Sequence, residues 1–116
     1  MAGVNRDDNV PGGCFVHSWE LTTADPNGIE FEQPGAADRS VEFVGSNWGG
    51  ATAVLEGRIK GGAWFVLTDP QGNALSKTDN ALEAVMENVR FYRARLSTPG
   101  TGAIVSVAVI SRSTMR

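Results

Sequence analysis

A chain of 116 residues with a formal net charge of −3 is long enough for one packed domain. Its 41% apolar and 20% charged content excludes wholesale disorder, and a single cysteine excludes an intrachain disulfide framework. The acidic balance, with an isoelectric point near 5.0, is the reverse of a nucleic-acid binder's electrostatic footprint, while fourteen glycines set between apolar runs favour an all-β chain.

Taken in order, residues 1–13 carry Asp7, Asp8, Asn9, Pro11, Gly12 and Gly13 with few apolar groups. Such a segment cannot offset its own ordering entropy, so a flexible N-terminal arm is expected, ordered only against a partner, with one domain over 14–116. It also lacks the basic start and apolar run of a secretory signal. Phe15, His17, Trp19 and Leu21 then alternate with Ser18, Glu20 and Thr22, the mark of a half-buried strand, which the turn Asp25-Pro26-Asn27-Gly28 ends. Ile29 and Phe31 alternate with Glu30 and Glu32, and Val41 and Phe43 with Ser40 and Glu42, predicting two more strands.

Residues 45–50 read as a loop that holds Trp48. Ala51, Ala53, Leu55 and Ile59 predict the inner face of the next strand. Gly61-Gly62 turns the chain into residues 63–67, whose apolar run suggests a strand covered on both faces. Asp69-Pro70-Gln71-Gly72 has turn chemistry. Over 79–88, Leu82, Val85 and Met86 share a helical face opposite Glu83 and Glu87, with Asp79 as a cap, so one short helix is expected. Tyr92, Ala94 and Leu96 then alternate with Arg93 and Arg95, and Val105, Val107 and Val109 with Ser106, Ala108 and Ser111. Strands at spacings of roughly ten residues, joined by glycine turns, predict an antiparallel β-sandwich or jelly roll in which consecutive strands pair, a small barrel being the alternative.

No catalytic constellation emerges. In a strand Cys14 and His17 point to opposite faces, which separates the only thiol from the only imidazole. Glu30 and Glu32 are explained as the solvated side of a strand. One histidine, one cysteine and scattered acids match no zinc or calcium spacing, and the glycine pairs lack phosphate-loop spacing. Catalytic residues, metal and cofactor are therefore all expected to be none. The apolar stretch 103–110 is too short to cross a bilayer as a helix, so no membrane partner is expected.

The candidates are interface residues. Phe91, Tyr92, Arg93 and Arg95, in the run Arg90-Phe-Tyr-Arg-Ala-Arg95, combine aromatic rings with guanidinium forks, the residue types favoured at protein interfaces. Trp19 and Trp64 are expected in the core. Trp48 could anchor a partner, stack on a sugar ring or cap the core. Asp7 and Asp8 represent the arm. Charge is also uneven along the chain: residues 1–57 sum to −7 and residues 58–116 to +4. Two accounts fit this: mixing of both halves within one sandwich, or an acidic edge of one copy meeting a basic edge of the next.

Leu55-Glu-Gly57, Trp64 with Leu67, Asp69-Pro-Gln-Gly-Asn73 and Glu87-Asn-Val-Arg-Phe-Tyr92 form an ordered set over the middle third of the chain. The set resembles one found in small virion structural proteins of tailed bacteriophages, most like capsid decoration (cement) proteins. Where related chains often carry S-N-D-G after the first motif, this one has Arg58-Ile-Lys-Gly61. The resemblance implies a β-rich protein that oligomerises, often as a trimer, and staples neighbouring major capsid subunits on the exterior of virions assembled in the host cytoplasm. Its partners would be the major capsid protein and further copies of itself. A phage tail or neck component, or a carbohydrate-binding module using an exposed Trp48, are the alternatives.

Overall fold

The computed structural model describes the backbone of residues 4–10, 14–32 and 36–113, and the side chains of 15–32 and 38–112. Ten strands and no helix fill these residues: β1 (Val4–Val10), β2 (Cys14–Thr22), β3 (Phe31–Glu32), β4 (Ala36–Asn47), β5 (Thr52–Arg58), β6 (Phe65–Val66), β7 (Ser76–Lys77), β8 (Ala81–Val85), β9 (Phe91–Thr98) and β10 (Ile104–Ser113). They make two antiparallel sheets packed as a β-sandwich. Sheet A runs β1-β2-β10-β4-β8; sheet B runs β3-β9-β5-β6, with β7 also pairing β5.

Period-two alternation builds the core, because every second side chain of each strand faces the other sheet. Trp19 and Leu21 of β2, Val41 and Phe43 of β4, and Val105, Val107 and Val109 of β10 come from sheet A. Ala53 and Leu55 of β5 and Tyr92, Ala94 and Leu96 of β9 meet them from sheet B, with Leu67 and Leu75 beside them. At one end an aromatic stack ties the layers together: His17 lies on Phe31 at 3.8 Å between ring centres, and Phe31 on Tyr92 at 5.5 Å. The Trp19 indole N–H donates to the Ile29 carbonyl at 2.7 Å.

Several expectations are corrected. Residues 4–10 of the expected arm are β1, the edge strand of sheet A, antiparallel to β2 with Asp7 opposite His17 and Asp8 opposite Val16. An edge position asks little of apolar content, since backbone hydrogen bonds to β2 supply what side chains cannot. The expected helix over 79–88 is absent. Residues 81–85 pair with β4, Leu82 opposite Glu42. Its three supposed face-mates are split: Val85 is buried, while Leu82 and Met86 are 71% and 60% exposed. Without a shared buried face, a helical period has nothing to gain from packing.

Chain order also differs from the hairpin meander. Among the described strands only β1–β2 and β5–β6 are sheet neighbours consecutive in the chain; elsewhere the chain mostly alternates between sheets. The run 63–67 is not covered on both faces, since Phe65 and Val66 are exposed on a two-residue strand. Ile59 is exposed rather than inward, and Ser111 is buried because it keeps the parity of Val109.

Candidate interaction surfaces

β9 aims Tyr92, Ala94 and Leu96 inward, so Phe91, Arg93 and Arg95 must project from the outer face of sheet B. On the adjacent strand the register sets Glu56 opposite Arg93. Its carboxylate accepts from Arg93 Nε at 2.8 Å and from Arg95 through Nε at 3.1 Å and Nη2 at 2.9 Å. Glu56 is only 5% exposed in this fork. Burial pushes its pKa up, but the hydrogen bonds and charges of Arg95 and Arg93 outweigh that and leave it lowered. Trp64 lies 4.4 Å from the guanidinium carbons of both Arg58 and Arg93, which explains why it is half-buried on this face and not in the core. Arg58 also donates to Glu30 at 2.6 Å.

These contacts change the standing of the sequence candidates. Tyr92 is fully buried, its hydroxyl accepting from the Val89 N–H at 3.1 Å and its ring under the Arg39 guanidinium at 4.4 Å, so it is a core residue and no interface residue. Burial raises its pKa. Arg93 and Arg95 serve the fold first: reversing both charges would crowd three carboxylates and threaten the monomer itself. Phe91 stays half-buried at the surface near Arg58 and Arg90. Trp48 packs against the core as a cap, its N–H donating to Asn80 Oδ1 at 2.8 Å. The same oxygen accepts from the Gly45 N–H, and a side chain at Gly45 would strike the indole. The side chains of Asp7 and Asp8 lie outside the described residues.

The resemblance motifs occupy structural positions in the fold. Gly57 lets Val89 and Leu67 pass where a Cβ would collide. Asp69 Oδ1 accepts from the Gln71 and Asn73 N–H groups at 2.9 Å each, and Gly72 takes φ +87° to close the turn. Bonding to the Asn73 N–H is the leading cause of a lowered Asp69 pKa. Glu87 accepts from the Thr68 N–H and hydroxyl.

The charge asymmetry resolves within the molecule. Glu30, Glu32, Glu56 and Asp38 from the acidic half pair with Arg58, Arg90, Arg93, Arg95 and Arg112 from the basic half.

Two unfilled surfaces stand out among the described residues: one is built mostly from the single stretch 57–67, the other from strands distant in the chain, which no local pattern brings together. A cleft of about 390 Å³ at one end of sheet B is lined by Gly57, Ile59, Phe65, Val66, Leu67 and Val89 among others. On the outer face of sheet A, Val44, Leu82, Ile104 and Ile110 are all exposed. A hollow of about 220 Å³ lies among Val16, Glu42, Leu82, Ala108 and Ile110 on this face. Among the described residues, no group of three or more His, Cys, Asp or Glu side chains could hold a metal ion. Comparison with protein-family models, with curated proteins and with solved structures returns no match.

Proposed function

We propose that this chain is a capsid decoration (cement) protein of a tailed bacteriophage, working by protein–protein contact and without catalysis. The observation that carries the reading is the set of large exposed apolar side chains on both sheets, of which Leu82 and Ile110 share the sheet A hollow and Ile59, Phe65 and Val66 the sheet B cleft. Val44, Leu82, Ile104 and Ile110 stand on sheet A; Ile59, Phe65 and Val66 surround the cleft of sheet B. Scattered apolar residues are ordinary on a surface, but grouped ones mark contact with another protein.

The resemblance of the Leu55-to-Tyr92 motif set directs the reading to a virion, and specifically to the exterior of the capsid. There the partner is the major capsid protein, and repetition multiplies a modest contact, because a ring of copies engages several lattice sites at once. The trimer that such proteins often form suits a lattice with three-fold positions.

Adding the purified chain to capsids that lack it, followed by sedimentation, tests the proposal. Saturable co-sedimentation is expected, with Phe65→Ser, a change at a side chain 67% exposed, weakening it while leaving the fold intact. A chain that stays in the supernatant at every concentration would contradict it.

A further inference from the structure

The ion pairs between the two halves leave a remainder. Among the described residues Lys60 is the one cation with neither an ion pair nor a hydrogen-bond partner, and Glu20 and Glu42 are the carboxylates in the same position. Glu42 lies on the outward face of β4, in register with Ala108 of β10 and Leu82 of β8. It borders the hollow whose other walls, Val16, Leu82, Ala108 and Ile110, are apolar. A carboxylate at an apolar hollow suits a long aliphatic stem that ends in a cation. The stem covers the walls and the ammonium meets the acid.

Lys60 has that chemistry and stands in an exposed position. It lies between β5 and β6, next to Ile59, which is 67% exposed, and before Gly61-Gly62. β5 and β6 belong to sheet B, whereas Glu42 faces outward from sheet A, on the far side of the core. Lys60 and Glu42 of one chain therefore cannot meet. Two chains can.

We propose that Lys60 of one copy enters the sheet A hollow of the next, its ammonium on Glu42 and Ile59 packed beside it against the apolar rim. The occupant is a second copy of this chain, selected by charge: an acidic or purely apolar guest would leave Glu42 desolvated and uncompensated. Each copy gives one Lys60 and receives one, so the contact is head-to-tail, and it closes into a ring when the rotation permits. The inference rests on the capsid reading for its ring of copies, and it gives Leu82, Ile110 and Ile59 to the neighbouring copy, which leaves Val44 and Ile104 of sheet A and Phe65 and Val66 of sheet B for the capsid.

Sedimentation equilibrium of the full chain tests it, with Glu42→Lys, Lys60→Glu and the double variant run alongside. Both substitutions fall on exposed side chains, and circular dichroism checks that each of the three variants folds. The wild type is expected to associate. Either single change should raise the dissociation constant about tenfold or more, added salt should do the same, and the double variant should regain association because it restores the pair with signs exchanged. A monomeric wild type, or single variants that associate as well as the wild type, would overturn the proposal. So would a double variant that stays dissociated. If Glu42→Lys abolishes co-sedimentation with capsids while the wild type is monomeric, the hollow takes a capsid side chain, and the second copy is excluded while the capsid reading survives.

Discussion

Glu56 is the residue on which the outer face of sheet B depends. It sits nearly buried in mid-strand, an environment that penalises a charge, and is tolerated because two guanidinium groups from β9 saturate its oxygens. Glu56→Ala would leave Arg93 and Arg95 facing each other with no acid between them. Because both arginines are about a quarter exposed, water offsets part of the loss. A fall of about 1–3 kcal/mol in unfolding free energy is expected by urea titration. The pH dependence carries a sign. The folded-state pKa is lowered from 4.5, so the stability Glu56 contributes is complete above that value and drains away as pH falls through the lower folded value. Glu56→Gln should therefore lose less stability than the wild type on acidification below about pH 4.5. Identical acid limbs for the two proteins would remove Glu56 as the cause.

At the scale of elements, β1 and β8 form the two edges of sheet A, and both were misjudged by pattern alone. Strand propensity on an edge is set by what the neighbour offers in backbone hydrogen bonds, a tertiary fact that a local window does not contain. By contrast β2, β5, β9 and β10 were legible, because each is paired on both sides and its alternation has to match the core. The pairing of β1 makes its own prediction. Removing residues 1–10 should speed hydrogen exchange at those β2 amides that face β1 and leave protected those that face β10. Equal protection of both sets before and after truncation would contradict the pairing.

Across the whole molecule, the sandwich was readable and its threading was not. Alternation says which side chains face inward, yet β2 pairs with β10 and β4 with both β10 and β8, across chain separations that no turn motif encodes. The interface candidates suffered for the same reason. Residues 90–95 looked like one exposed cluster, but strand parity sends Tyr92 to the core and the register gives Arg93 and Arg95 to Glu56. Of the surfaces left open, the hollow beside Glu42 exists only once β2, β10, β4 and β8 lie side by side, whereas the cleft beside Gly57 is built mostly from the single stretch 57–67. The apolar character of the cleft is what the proposed attachment to a repeating protein lattice requires, since each small contact is repeated on every copy.

Copy number in the purified virion, by quantitative mass spectrometry against the major capsid protein, tests that account most directly. A ratio of the same order as the capsid subunit is expected of a protein that decorates the whole lattice. A ratio of a few per cent would move the chain to the neck or tail and contradict decoration, and absence from the particle would end the virion reading altogether.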